Sequence, residues 1–122
     1  MHQIYVLEDS QDIGYILQLL LVNEGFKVEV FPNVAAIKSR MKDDLPDLFL
    51  LDIMLPDGNG LALCQEIKGD SDTQRIPVVM MSAHMSPEKM VPEIQTDGFI
   101  AKPFDLDDVT KCLNSLLKSN LN

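Results

Sequence analysis

Short apolar runs alternate with amphipathic stretches along the whole chain, and this alternation predicts a strand followed by a helix, five times over. Ile4–Leu7, Leu48–Leu51 and Val78–Met81 are apolar throughout, as strands covered on both faces must be. Lys27–Phe31, in which Lys27 and Glu29 alternate with Val28 and Val30, reads as an edge strand, and Phe99–Ala101 as the fifth. The expected fold class is α/β, a parallel sheet with helices on both faces.

The first helix is predicted from Ser10 to Asn23, with Ile13, Ile16, Leu17, Leu20 and Leu21 at helical spacing and Gly25 as its stop. Val34–Met41 and Leu61–Ile67 supply the second and third. A fourth starts at Ser86-Pro87, but Pro92 falls inside it, lacking an N–H and clashing with the preceding turn, so this helix is expected to be short, kinked or partly unwound. The last helix is capped by Asp105, has Asp107 and Asp108 at its positive end, and buries Val109, Cys112, Leu113, Leu116 and Leu117.

With 122 residues there is room for one domain, 1–122, with no repeat, linker or appended effector. Hydrophobic and charged fractions of 46% and 24% are those of a globular chain. A formal net charge of -9 without a basic cluster disfavours direct binding to nucleic acid. The apolar runs are too short to cross a membrane and no secretory leader is evident, so a cytoplasmic protein is expected. Cys64 and Cys112 lack metal or redox spacing and read as buried thiols on helix faces; most methionines read as core.

In such a fold, residues just past the carboxyl ends of the strands collect along one edge, where ligands bind. Glu8 and Asp9 follow the first strand, Asp52 the third, Ser82 the fourth and Lys102 the fifth. Three carboxylates brought together repel one another unless a cation compensates them. Oxygen donors without convergent His or Cys favour Mg2+ over zinc. Lys102 and Ser82 add the positive charge and hydroxyl donor that a phosphoryl group requires, and phosphoryl transfer to a carboxylate needs mainly alignment and charge neutralisation.

The ordered set Glu8-Asp9, Asp52, Ser82-Ala83 and Lys102-Pro103 resembles the receiver domain of two-component response regulators, of the CheY-like kind. The segment from Leu51 to Gly60 resembles that family's phosphorylation-site loop, and Ala101-Lys102-Pro103-Phe104 its last-strand signature. The resemblance spans almost the whole chain. It implies a flavodoxin-like, doubly wound five-stranded sheet in the order 2-1-3-4-5. Asp52 would be the phosphoacceptor, served by a sensor histidine kinase or a histidine phosphotransfer protein.

By the same resemblance, Asp9 and Asp52 would bind Mg2+ directly, Glu8 through water, and Met54 through its backbone carbonyl. Lys102 would pair with carboxylate or phosphoryl oxygen, and the Ser82 hydroxyl and Ala83 N–H would hold another oxygen. The Lys102-Pro103 bond is expected to be cis. Phe99 occupies the position of the aromatic switch, where many relatives have Tyr, and Met54 and His84 match positions that border the attacking water. The readout would be a downstream protein partner or a missing effector domain, with no nucleic-acid or membrane contact. The protein would be no turnover enzyme but a phosphoacceptor that assists its own phosphorylation and dephosphorylation.

Plainer readings exist for each residue. Asp52 could end a strand and bond a nearby N–H; Glu8 and Asp9 could cap the first helix, alone or in addition to binding metal. Lys102 could be a surface ammonium, Ser82 an ordinary strand end and His84 a solvent-facing loop residue. Gly58 and Gly60 are not followed by Lys-Ser or Lys-Thr, so turn geometry is preferred to a nucleotide loop. For the whole chain the alternatives are a phosphorylation-independent interaction module and a small phosphatase, the latter lacking a second acid and a cap domain. The interval from Ser82 to Lys102 is shorter than is usual in the family and coincides with Pro92. Residues 86–97 are therefore expected to be mobile, within a face that normally changes on phosphorylation.

Overall fold

The computed structural model describes residues 2–83 and 96–119. The described elements are β1 (Gln3–Leu7), α1 (Gln11–Asn23), β2 (Lys27–Phe31), α2 (Val34–Met41), β3 (Leu48–Asp52), β4 (Met54–Leu55), β5 (Gly58–Asn59), α3 (Gly60–Gly69), β6 (Val78–Ser82), β7 (Gly98–Ala101) and α4 (Leu106–Ser119). Five strands form a parallel sheet in the order β2-β1-β3-β6-β7. Numbered within that sheet alone, this is the expected 2-1-3-4-5, with Lys27–Phe31 at one edge. The expected fourth helix, with Ser86, Pro87 and Pro92, lies outside the described residues, as does His84.

Strand side chains alternate between faces, and the core divides accordingly. Ile4, Val6, Leu48, Leu50, Val79, Met81 and Ile100 face α1 and α4, meeting Leu17, Leu21, Val109, Leu113 and Leu117. Tyr5, Leu7, Phe49, Leu51, Val78 and Met80 face α2 and α3, meeting Ile37, Leu63, Cys64 and Ile67. Burial pushes the Cys64 thiol up to about 11, so at neutral pH it is a protonated core group.

Two details depart from the expected pattern. Ile16 is 47% exposed, because α1 turns Gly14, Leu17 and Leu21 inward and leaves Ile16 on the flank. The antiparallel hairpin of β4 and β5 was not expected; it pairs Met54 with Asn59 and Leu55 with Gly58. Two residues per strand are too few to show the period of two that identifies longer strands.

Helix ends follow local chemistry. The Ser10 hydroxyl accepts from the Ile13 N–H, and Asp105 Oδ1 from the Asp107 N–H. At the end of α1, the Gly25 N–H donates to the Val22 carbonyl and the Phe26 N–H to that of Leu21, closing a Schellman motif around Gly25 at φ 96°. A Cβ on Gly25 would meet nothing within 4 Å, so the glycine is required by backbone conformation and not by space. Gly25→Ala is expected to destabilise the fold by about 1 kcal/mol without altering the site. Urea denaturation followed by circular dichroism checks this.

Candidate functional site

Alternation along the strands decides which polar side chains meet. Val6, Leu50 and Ile100 all point toward α1 and α4, so Glu8, Asp52 and Lys102, each two positions further on, continue that face at the carboxyl edge of the sheet. Backbone bonds extend the ladder one step past the strands, from the Glu8 N–H to the Phe31 carbonyl and from the Lys102 N–H to the Ser82 carbonyl.

There the Lys102 ammonium lies 2.5 Å from Glu8 Oε1 and 3.0 Å from Asp52 Oδ2. Glu8 and Asp52 are buried, at 3% and 8% exposure, while Asp9 is exposed. One oxygen from each of Glu8, Asp9 and Asp52 lies within 4.8 Å of the other two. Burial pushes the Glu8 carboxyl above its ordinary range and the charge of Asp52 adds to this, against the pull of the Lys102 and Ser10 hydrogen bonds. For Lys102, burial opposes the charged form, but its hydrogen bonds to Glu8 and Asp52 outweigh this and its pKa ends above the usual value.

Three carboxylates face one ammonium. At an effective dielectric of about 20, a carboxylate pair about 5 Å apart repels by on the order of 3 kcal/mol, and one Lys cannot compensate all of them. The donor set is oxygen only, partly buried and in negative excess, which fits a hard divalent cation. Helix capping does not account for the acidic pair: Ser10 caps α1, and Glu8 Oε2 accepts from the Ser10 N–H at 3.1 Å.

The other expected residues lie on β4, β6 and β7 and just after β6. Ser82 is buried at the end of β6 and Ala83 follows it, exposed. Met54 begins the hairpin with its side chain 63% exposed. Half-buried Phe99 packs on the α2/α3 side of the sheet, registered with Met80, while Ser82 registers with Ala101. Since Met80 faces α2 and α3, alternation carries Ser82 to the same side as Phe99. The Lys102-Pro103 peptide is cis.

Gly60 has a different role from the turn glycine expected. It opens α3 without a positive φ, donates its N–H to the Ile53 carbonyl at 2.8 Å, and lies so close to β3 that a Cβ would overlap the Asp52 carbonyl oxygen. Among the described residues no helix is long and apolar enough to cross a membrane.

The family model for the response regulator receiver domain matches residues 4–114. The phosphate regulon transcriptional regulatory protein PhoB of Rhizobium meliloti is 30% identical over 118 residues, covering 95% of this chain and 52% of that protein. The transcriptional regulatory protein CseB of Streptomyces coelicolor is 35% identical over 106 residues, covering 85% and 44%. The chain thus spans about half the length of these relatives. Among solved structures, the receiver domain of a signal transduction histidine kinase from Syntrophus aciditrophicus superposes with a TM-score of 0.90 at 28% identity, covering 98% of this chain and 92% of that one. The chemotaxis response regulator CheY4 of Vibrio cholerae shares the fold at a TM-score of 0.87 and 22% identity, covering 95% and 98%.

Asp9→Asn removes repulsion without removing a Lys102 partner. In chelator it is expected to raise stability by about 0.5–1 kcal/mol. Wild type should gain about 2.7 kcal/mol at a Mg2+ concentration 100 times its Kd, and the variant should lose most of that gain; thermal melts with and without Mg2+ measure both. Gly60→Ala should cost about 1–3 kcal/mol by overpacking and weaken Mg2+ binding, read by chemical denaturation and calorimetry.

Proposed function

Because this chain belongs to the response regulator receiver domain family, we propose that Asp52 is the residue that accepts its phosphoryl group, and that the whole of 1–122 acts as one receiver domain. The family role is that of a phosphoacceptor in two-component signalling. The observation that carries the residue assignment is the Lys102 ammonium shared by buried Glu8 and Asp52 within a trio of carboxylates.

Lys102 holds Asp52 by Oδ2, which orients the carboxylate for attack. An Asp52 oxygen forms the new P–O bond as the P–N bond of a donor phosphohistidine breaks, and the leaving imidazole keeps the electron pair and takes up a proton. Lys102 then turns part of its charge to the phosphoryl oxygens. Mg2+ fits the oxygen donor set; Asp9 and Asp52 would hold it directly, Glu8 would act through water and the Met54 carbonyl would complete the protein's share. When bound, it supplies charge neutralisation and alignment of the phosphoryl oxygens.

The Ser82 hydroxyl and Ala83 N–H hold a further phosphoryl oxygen. Ser82 shares a sheet face with Phe99, which supports Phe99 as the side chain that changes rotamer when Ser82 is drawn to phosphate. Phe99 has no hydroxyl, so its contribution to a partner is one of shape. The donor is a sensor histidine kinase or a histidine phosphotransfer protein in the cytoplasm, and the output runs through a protein partner or an effector domain. The protein assists its own phosphorylation and dephosphorylation without being a turnover enzyme.

Incubation with a small acyl phosphate and Mg2+, followed by intact-mass measurement, should show a single phosphoryl adduct that is absent in Asp52→Asn and greatly reduced in Lys102→Ala. An adduct that persists in Asp52→Asn refutes the assignment. No adduct on wild type favours an interaction module independent of phosphorylation, and rapid multiple turnover favours a phosphatase.

A further inference from the structure

Asp57 does not belong to the acidic cluster. It lies in the turn between β4 and β5, and its carboxylate reaches across to α2: Oδ1 accepts from the Val34 N–H at 2.9 Å and Oδ2 from the Ala35 N–H at 3.1 Å. These are the first two N–H groups of that helix, which have no partner within it. The same bonds hold the Asp57 carboxyl below its ordinary range. The next N–H, that of Ala36, is taken locally by the Asn33 side chain at 2.8 Å. The hairpin also sits close against this helix, since a Cβ on Gly58 would come 3.1 Å from Val34 Cγ2.

Capping of α2 alone would not need a residue more than twenty positions away, because Asn33 caps it through the Ala36 N–H and first-turn N–H groups at an exposed helix end can be satisfied by water. What the long-range pair of bonds adds is a fixed position for the hairpin. A ladder of two residues per strand cannot hold itself in water. At its base the hairpin is closed by the Gly60 N–H on the Ile53 carbonyl at 2.8 Å; its turn is held to the body of the protein by Asp57. Met54 lies between these two fastenings.

We infer that Asp57 is a positioning residue for the cation site, which clamps the hairpin to the first turn of α2 and thereby holds the backbone of Met54 where its carbonyl can serve the cation. This rests on the reading of that carbonyl as a ligand beside Asp9 and Asp52. The clamp acts before any cation arrives: it fixes the loop in advance, so that less ordering is required on binding.

The test is the Mg2+ affinity of the full chain by isothermal titration calorimetry, for wild type, Asp57→Ala, Asp57→Asn and Asn33→Ala, with amide hydrogen exchange of residues 54–59 in metal-free protein. Asp57→Ala should weaken Mg2+ by about tenfold and speed exchange across the hairpin. Asp57→Asn, which keeps one acceptor oxygen, should recover part of both. Asn33→Ala removes a cap of the same helix and should lower Tm while leaving Mg2+ affinity and hairpin exchange unchanged, which separates positioning from stability. Where Asp57→Ala does not fold, the contrast between Asp57→Asn and Asn33→Ala decides.

Wild-type affinity in both Asp57 variants, or an equal loss in Asn33→Ala, overturns the clamp while leaving the cation site standing. A wild-type chain that binds no Mg2+ overturns the site and the clamp together.

Discussion

One ammonium held between two buried carboxylates, with a third carboxylate beside them, sets the terms for everything at the carboxyl edge of this sheet. Buried charge is tolerated only when it is paired. Lys102 pairs Glu8 and Asp52 but leaves negative charge in excess, so the site is stable enough to exist and charged enough to call for a cation. On the proposed assignment, a phosphoryl group at Asp52 would bring further negative charge to the same ammonium.

The rest of the fold is what makes that contact possible. Lys102 is 94 residues from Glu8 and 50 from Asp52 in the chain, and the parallel order β2-β1-β3-β6-β7 brings the carboxyl ends of β1, β3 and β7 to one edge of the sheet. The alternation that sorts Val6, Leu50 and Ile100 onto one face carries Glu8, Asp52 and Lys102 onto it as well. The same rule sends Ser82 and Phe99 to the opposite face. Gly60 and Asp57 act on the backbone that follows Asp52: the first lets α3 start hard against β3, and the second ties the intervening hairpin to α2.

Much of this was legible in the residues. The apolar runs of β1, β3 and β6 admit only doubly covered strands, Lys27–Phe31 reads as an edge and is one, and Ser10, Gly25 and Asp105 mark helix ends that the structure retains. The less legible parts have physical causes. Ile16 has the right spacing for the core, yet a helix that is apolar nearly all round does not declare which side turns inward. A glycine required by close approach, such as Gly60, looks in sequence like one required by a turn. The β4–β5 hairpin is too short to carry a period, and Asp57 in its turn looks like an ordinary loop carboxylate.

By itself, then, the sequence determined the strand and helix order, the two-faced core and the set of polar residues at the strand ends, because each follows from the spacing of hydrophobic side chains along a few consecutive residues. Only the tertiary structure decided that Lys102 bridges Glu8 and Asp52, that Gly60 leaves room for the Asp52 carbonyl, and that Asp57 serves a helix more than twenty residues earlier. Those contacts join residues that are distant in the chain, and their geometry depends on how the elements pack and not on the period of any one of them.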